Sequence, residues 1–219
     1  MFERQYVENE CLWGLSPDSI LTKNIGKIPV GRALDLGVGE GRNALFLAQT
    51  GFQVTGIDIS PKAIEKFLNL ARERDVAVEG LVRDIRDFEF KPHTYDLIVA
   101  TVTLHFLAKT EVYETISKII RSVALGGYVY IGDFTVSDPS YKSAKKRLRQ
   151  VDENTFWYPD LSCYLYFFSH NELRRMFTDF ETKVYLERTL ADTPHGKRGI
   201  HTHSVALLLA QKCPRKKGL

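Results

Sequence analysis

The sequence predicts an α/β fold: a doubly wound, seven-stranded, mostly parallel sheet with a C-terminal antiparallel hairpin. Three observations carry this. Short apolar, β-branched runs alternate with amphipathic stretches along residues 32–134. Strands separated in this way pair in parallel, with right-handed crossovers, because each crossover takes about a dozen residues. Two further strand-like runs near the C-terminus have no helix between them, which makes them a hairpin.

Arg32–Leu36, Gln53–Asp58, Val76–Val82, Tyr95–Ala100 and Tyr128–Phe134 read as strands, being β-branched and apolar and bounded by glycine or polar residues. Between them, Arg42–Thr50 carries Leu45, Leu47 and Ala48 at helical spacing. Pro61–Glu73 opens with Ser60 as N-cap and Pro61 at the first helical position, and sets Ile64, Phe67, Leu68 and Ala71 on one face. Lys109–Val123 carries Val112, Ile116, Ile119, Ile120 and Val123 and ends against Gly126-Gly127. Residues 135–170 are aromatic and basic rather than strand-like. A helix Asn171–Thr178 follows, then strands Glu181–Arg188 and His203–Lys212, with Thr189–Thr202 as a long hairpin loop.

A chain of 219 residues fits one domain spanning 1–219. Its 44% hydrophobic and 26% charged residues are those of a globular protein. Thirty basic against twenty-seven acidic side chains leave +3, too small an excess to imply nucleic acid. No apolar run approaches the length of a membrane span, and MFERQYVENE lacks the apolar core of a signal peptide. Cys11, Cys163 and Cys213 are odd in number and scattered, suggesting neither a disulfide framework nor a metal site. The expectation is a cytoplasmic protein, monomer or homodimer, with no membrane and no nucleic-acid partner.

The sharpest local signal is Asp35-Leu36-Gly37-Val38-Gly39-Glu40-Gly41, which follows the first strand and opens the first helix. Glycines at such a turn let backbone approach a ligand at a helix N-terminus. The dinucleotide fingerprint needs G-x-G-x-x-G; here the third glycine falls one residue early and Arg42 follows it. The second strand ends at Asp58, where a carboxylate can accept both ribose hydroxyl protons, or can serve as a helix N-terminal carboxylate beside Ser60. Asp84 ends the third strand and, like Asp87, can equally be a turn residue. All three acids (Asp35, Asp58, Asp84) lie at carboxyl ends of strands, the rim where open α/β sheets bind ligands.

These residues, with RDIRDF, YDLIVATVTLHFL and GGYVYIGDF, resemble class I S-adenosylmethionine-dependent methyltransferases, a Rossmann-like family, and within it the tellurite-resistance (TehB-like) branch. The likeness covers roughly residues 10–212; the branch rests on Gly41-Arg42-Asn43, Thr101–Leu107, YFFSHNELRRMF and a hairpin ending SVALLLAQK. It implies S-adenosylmethionine as methyl donor, held by Asp35, Gly37, Gly39, Gly41, Arg42, Asp58, Ile59, Asp84, Ile85, Thr101 and Trp13. Asp84 falls where the adenine amino group would lie, residues 1–30 form a helical cap, and residues 135–170 cover the substrate site. The implied partner is a small-molecule methyl acceptor: a chalcogen oxyanion (tellurite or selenite) or a small thiol. Another small O or N acceptor is the alternative. An NAD(P)-dependent oxidoreductase is disfavoured by the early third glycine and the lack of Tyr-x-x-x-Lys. Val38 stands where many members have cysteine or alanine and should point into the core, and His105 stands where tellurite enzymes carry methionine.

On the acceptor side, His195, His201 and His203 fall on the hairpin, whose loop returns at the carboxyl rim. His201 and His203 share a face at strand spacing, the geometry of a metal pair, but no third ligand is evident and no metal is expected. The other readings are an exposed polar hairpin, or an anion or thiol site in which His195, Arg198 and His201 supply hydrogen bonds and charge. His105, after the fourth strand, either contacts or deprotonates substrate or packs against the apolar TVTLHFL run. Residues 142–149 form a basic face, solvated or steering an anion. The aromatic run 156–168 is either core or a lid that excludes water.

Overall fold

The computed structural model describes residues 2–192 and 201–213. Two short helices, α1 (Glu3–Glu8) and α2 (Ser19–Asn24), precede β1 (Arg32–Leu36), α3 (Arg42–Gln49), β2 (Gln53–Asp58), α4 (Pro61–Glu73), β3 (Val78–Val82), β4 (Tyr95–Thr101), α5 (Lys109–Ser122) and β5 (Val123–Phe134). Then come α6 (Pro139–Arg147), β6 (Arg149–Asp152), β7 (Thr155–Tyr158), β8 (Cys163–Tyr166), α7 (Glu172–Arg175), β9 (Phe180–Asp192) and β10 (His201–Lys212). The seven-stranded sheet runs β3-β2-β1-β4-β5-β10-β9. β1 to β5 pair in parallel, while β10 lies antiparallel between β5 and β9. The expected fold class is the observed one.

Strand alternation divides the core between the two faces of this sheet. Leu34, Leu36, Ile98, Ala100, Val129 and Ile131 meet Val112, Ile116 and Ile119 of α5. Ala33, Leu97, Val99 and Tyr130 meet Leu45, Leu47, Ile64 and Phe67 of α3 and α4, with Val38 buried among them as expected. Burial of each such side chain contributes about 1.5–3 kcal/mol. Ser60 caps α4 through its hydroxyl, which accepts from Ala63 N at 3.0 Å, with Pro61 at the first position.

Several element boundaries differ from the sequence reading. β3 starts at Val78, because Asp75 turns left-handed (φ 52°) and Val76 N still closes α4 on Ala71 O. The helix before β5 stops at Ser122, one residue short of the expected Val123, and β5 begins at Val123 rather than Tyr128, because buried Val123 pairs with Tyr95 and the strand continues through Gly126-Gly127. The helix expected over Asn171–Thr178 shrinks to Glu172–Arg175, its entry fixed by Asn171 at φ 58°. β9 and β10 extend beyond their expected lengths to Asp192 and His201, leaving only 193–200 between them, outside the described residues.

The larger correction lies in 135–170. The segment contains α6 and a second, antiparallel sheet β6-β7-β8, with Asn154 (φ 54°) turning β6 into β7. Phe156 and Phe167 bury completely beneath it with Ala144. β8 lies against the short 3₁₀ turn Leu104–Phe106 that follows β4, so this sheet stands over the carboxyl ends of β4 and β5.

Candidate active site

A cleft of about 1790 Å³ opens at the carboxyl ends of β1, β2, β4 and β5, between the N-terminal helices and the 135–170 sheet. Its floor is the glycine turn. Gly37, Gly39 and Gly41 have φ of 68°, 54° and 89°, a region that favours glycine. A Cβ on Gly37 would lie 2.3 Å from Thr103 Oγ1, and one on Gly41 2.2 Å from Phe67, so nothing larger fits at either position. The turn is pinned from β2: Val38 N donates to Ile57 O at 2.9 Å, and Gly39 N to Asp58 Oδ2 at 3.0 Å.

The acids differ in environment. Asp35 is 3% exposed, and burial lifts its pKa to about 7 despite nearby Arg42. Asp58 also accepts from Ser60 N at 2.9 Å, so its hydrogen bonds are those of the helix-entry reading, while its carboxylate faces the cleft; burial again raises its pKa. Asp84 is bound by Arg86, at 2.5 Å through Nη2 and 2.9 Å through Nε, and this guanidinium holds its pKa below the ordinary value. Both its oxygens are thereby engaged. Ile59, half exposed, and Ile85, buried, line the wall between the acids. Thr101 and Arg42 line it as well, and Thr101 Oγ1 accepts from Asn43 Nδ2 at 3.3 Å.

The far wall joins Trp13, which the resemblance implied, to Glu40, Lys66 and Tyr6, which the sequence reading passed over. Glu40, 3% exposed, accepts from the backbone N–H groups of Leu12 (2.8 Å) and Trp13 (3.3 Å) and from Lys66 Nζ (3.0 Å). Lys66 also donates to the carbonyls of Asn9 and Glu10. Trp13 Nε1 donates to Tyr6 Oη at 2.9 Å, and both rings line the cleft. Glu40 stood visibly inside the glycine motif, but its partners lie 26 to 28 residues away, which a local pattern does not report.

Of the acceptor-side candidates, His105 lines the cleft but is packed, 3% exposed. Its Nδ1 bonds to Tyr166 O at 2.5 Å, its backbone N–H donates to Asp133 Oδ2 at 3.0 Å, and Phe106, Phe134 and Phe167 present edges or faces to its ring. Burial lowers its pKa to about 4, so it is neutral at physiological pH. His195 and Arg198 lie outside the described residues, and of His201 the structure describes only the backbone, paired with Asp192. Among the described residues no three His, Cys, Asp or Glu side chains gather as a metal site. The basic stretch divides: α6 ends at Arg147, which lines the cleft, while Lys142, Lys145 and Lys146 are exposed. The aromatic run divides too, Phe156, Phe167 and Phe168 going to core and Trp157, Tyr158 and Tyr164 to the cleft.

Residues 33–127 match the family described as Methyltransferase domain. Over 160 residues the chain is 30% identical to the probable S-adenosyl-L-methionine-dependent methyltransferase TehB of Haemophilus influenzae, a match covering 71% of this chain and 48% of that one. Over 156 residues it is 31% identical to Hemagglutinin 1 of Eikenella corrodens, covering 71% and 46%. The chain spans about half the length of the curated relatives it matches. The crystal structure of TehB from Haemophilus influenzae superposes with a TM-score of 0.72 at 23% identity, over 96% of this chain and 65% of that one, a likeness of fold. Among the described residues no helix is long and apolar enough to cross a membrane.

Proposed function

We propose, from the match of residues 33–127 to the Methyltransferase domain family and the likeness to TehB, that the chain is a class I S-adenosylmethionine-dependent methyltransferase, and that it transfers a methyl group to a small nucleophilic acceptor, a chalcogen oxyanion or a small thiol. One observation carries the reading: a turn in which Gly37 and Gly41 have no room for a Cβ shares a cleft with two acids, Asp35 and Asp58, at adjacent strand ends.

The residues fit the cofactor's chemistry. A buried acid poised near pH 7 suits a cationic amino-acid end, and Asp58 suits a pair of hydroxyl donors. When bound, the cofactor supplies a methyl group on a sulfonium, already activated for in-line displacement. The protein's part is therefore to position and to exclude water. In this reading Trp13 and Tyr6 close the cofactor end, while Trp157, Tyr158 and Tyr164 cover the acceptor end. His105, neutral and fixed by Tyr166 O, offers a hydrogen-bond acceptor rather than charge.

Calorimetric titration with S-adenosylmethionine and with NADH tests this. Binding of the first and not the second is expected, falling at least tenfold, about 1.4 kcal/mol, in Asp58→Ala. An S-adenosylmethionine titration without heat would reject the reading. Turnover of labelled cofactor against tellurite, selenite, small thiols and carboxylates then identifies the acceptor.

A further inference from the structure

On the acceptor side one buried acid organises His203, which the sequence weighed only as half of a metal pair and not as part of the anion or thiol site. Asp138, the N-cap of α6, has a side chain with no exposed surface. Its Oδ1 accepts from Ser140 N at 2.8 Å and from the Ser140 hydroxyl, and its Oδ2 from Ser204 N at 2.7 Å and His203 Nδ1 at 3.0 Å. Burial pushes the Asp138 pKa up, but the hydrogen bonds from His203, Ser140 and Ser204 outweigh it and hold the acid ionised. An ionised carboxylate only accepts. Nδ1 of His203 therefore carries the proton, and in the neutral ring the lone pair sits on Nε2. The ring stacks on Phe134 (4.5 Å between centroids, 22° between planes) and stands in the cleft wall, 17% exposed. Among the described residues, the titratable groups that act on it include Asp138 from the α6 terminus and His105 from the turn after β4; its partner on β9 is Leu190.

From the 135–170 segment Trp157, Tyr164, Leu161 and Leu165 line the surrounding wall together with three serines and the pair of opposite charges Arg147 and Asp160. A wall of aromatic and aliphatic faces in which one acid offsets one cation suits a neutral body better than a multiply charged oxyanion.

Resting on the methyltransferase reading above, we propose that the acceptor is a neutral thiol with an apolar body and that His203, positioned by Asp138, is the base that removes its proton. The S–H proton passes to Nε2 as the thiol sulfur bonds the methyl carbon. The carbon–sulfonium bond breaks with its electron pair kept by the donor sulfur, and the imidazolium then releases its proton to water.

Two thiols separate this step from a structural role. Phenylmethanethiol is protonated at neutral pH, and 4-nitrobenzenethiol is ionised. In His203→Gln, kcat/KM for phenylmethanethiol is expected to fall at least 30-fold further than for 4-nitrobenzenethiol, with S-adenosylmethionine affinity retained. Asp138→Asn should lose in the same direction. Nitrogen-15 spectra of the histidines give a readout independent of turnover: His203 should be the Nδ1–H tautomer in the wild type and a mixture in Asp138→Asn. Equal losses on both thiols, or an Nε2–H tautomer in the wild type, would overturn the assignment of the base. Cofactor binding with methylation of neither thiol overturns the acceptor class and leaves the methyltransferase reading standing; absence of cofactor binding overturns that reading itself.

Discussion

Asp35 and Asp133 are carboxyls that burial lifts from 3.8 to about 7, Asp35 beside the cleft and Asp133 beneath the turn after β4, where it accepts from the backbone of Phe134 and His105. In each, the folded chain holds its proton more tightly than the unfolded chain. The stability they contribute is thus full below about pH 4 and is lost as pH rises through about 7. Thermal melts of ligand-free protein should show that decline, and Asp133→Asn should remove part of it. A cationic ligand reverses the preference at Asp35. S-adenosylmethionine affinity should therefore rise as pH passes through about 7, and the rise should flatten in Asp35→Asn, as read by titration calorimetry at several pH values. Asp35 was legible as a motif member, because glycine spacing and strand-end acids are local signals; Asp133 was not singled out. How either titrates was not legible, since that depends on what folds over it.

Ile20 and Leu21 seat α2 in the main core, whereas α1 and the segment after it combine a small apolar cluster of Tyr6, Leu12 and Ala63 with a few polar ties. Glu40 holds the backbone at Leu12 and Trp13, Lys66 joins it across the gap, and Glu3 of α1 takes the Ser60 hydroxyl and Lys62 N at the start of α4. Removing the Glu40 carboxylate leaves buried donors without an acceptor, a loss of about 1–3 kcal/mol. Glu40→Ala should lower urea stability by that amount, speed hydrogen exchange over residues 2–14 and weaken cofactor binding, whereas Glu8→Ala, at an exposed helical pair, should do none of these. The resemblance implied an N-terminal cap, but the sequence carried no sign of these fastenings. It hid β7 and β8 for a different reason. Phe156 and Trp157, adjacent on β7, are both large and apolar, so the alternation that marks a half-buried strand disappears when core and cleft are each lined with aromatics.

At the scale of the molecule, the two ends of the cleft come from different parts of the chain, residues 2–60 with the strand ends on one side and 135–170 with the start of β10 on the other, which the proposed function assigns to cofactor and acceptor respectively. The division predicts separable effects. Trp157→Ala with Tyr164→Ala should raise KM for the acceptor several-fold and leave the S-adenosylmethionine Kd within twofold of wild type in steady-state kinetics and calorimetry. The parallel half was readable because each βα unit repeats one pattern of run, turn and amphipathic helix. The acceptor end was not, because His203 meets Asp138 across 65 residues, and only the register of β10 on β5 brings them together.

That register also orders events during synthesis. β10 fills an interior place in the sheet, with β5 on one side and β9 on the other. Until residues 201–212 have left the ribosome, β5 carries an open edge of backbone N–H and C=O groups, of the kind that invites pairing with foreign strands. Nascent chains stalled before His201 should accordingly need shelter by chaperones, and release from that dependence should coincide with emergence of the strand that brings His203 to its carboxylate.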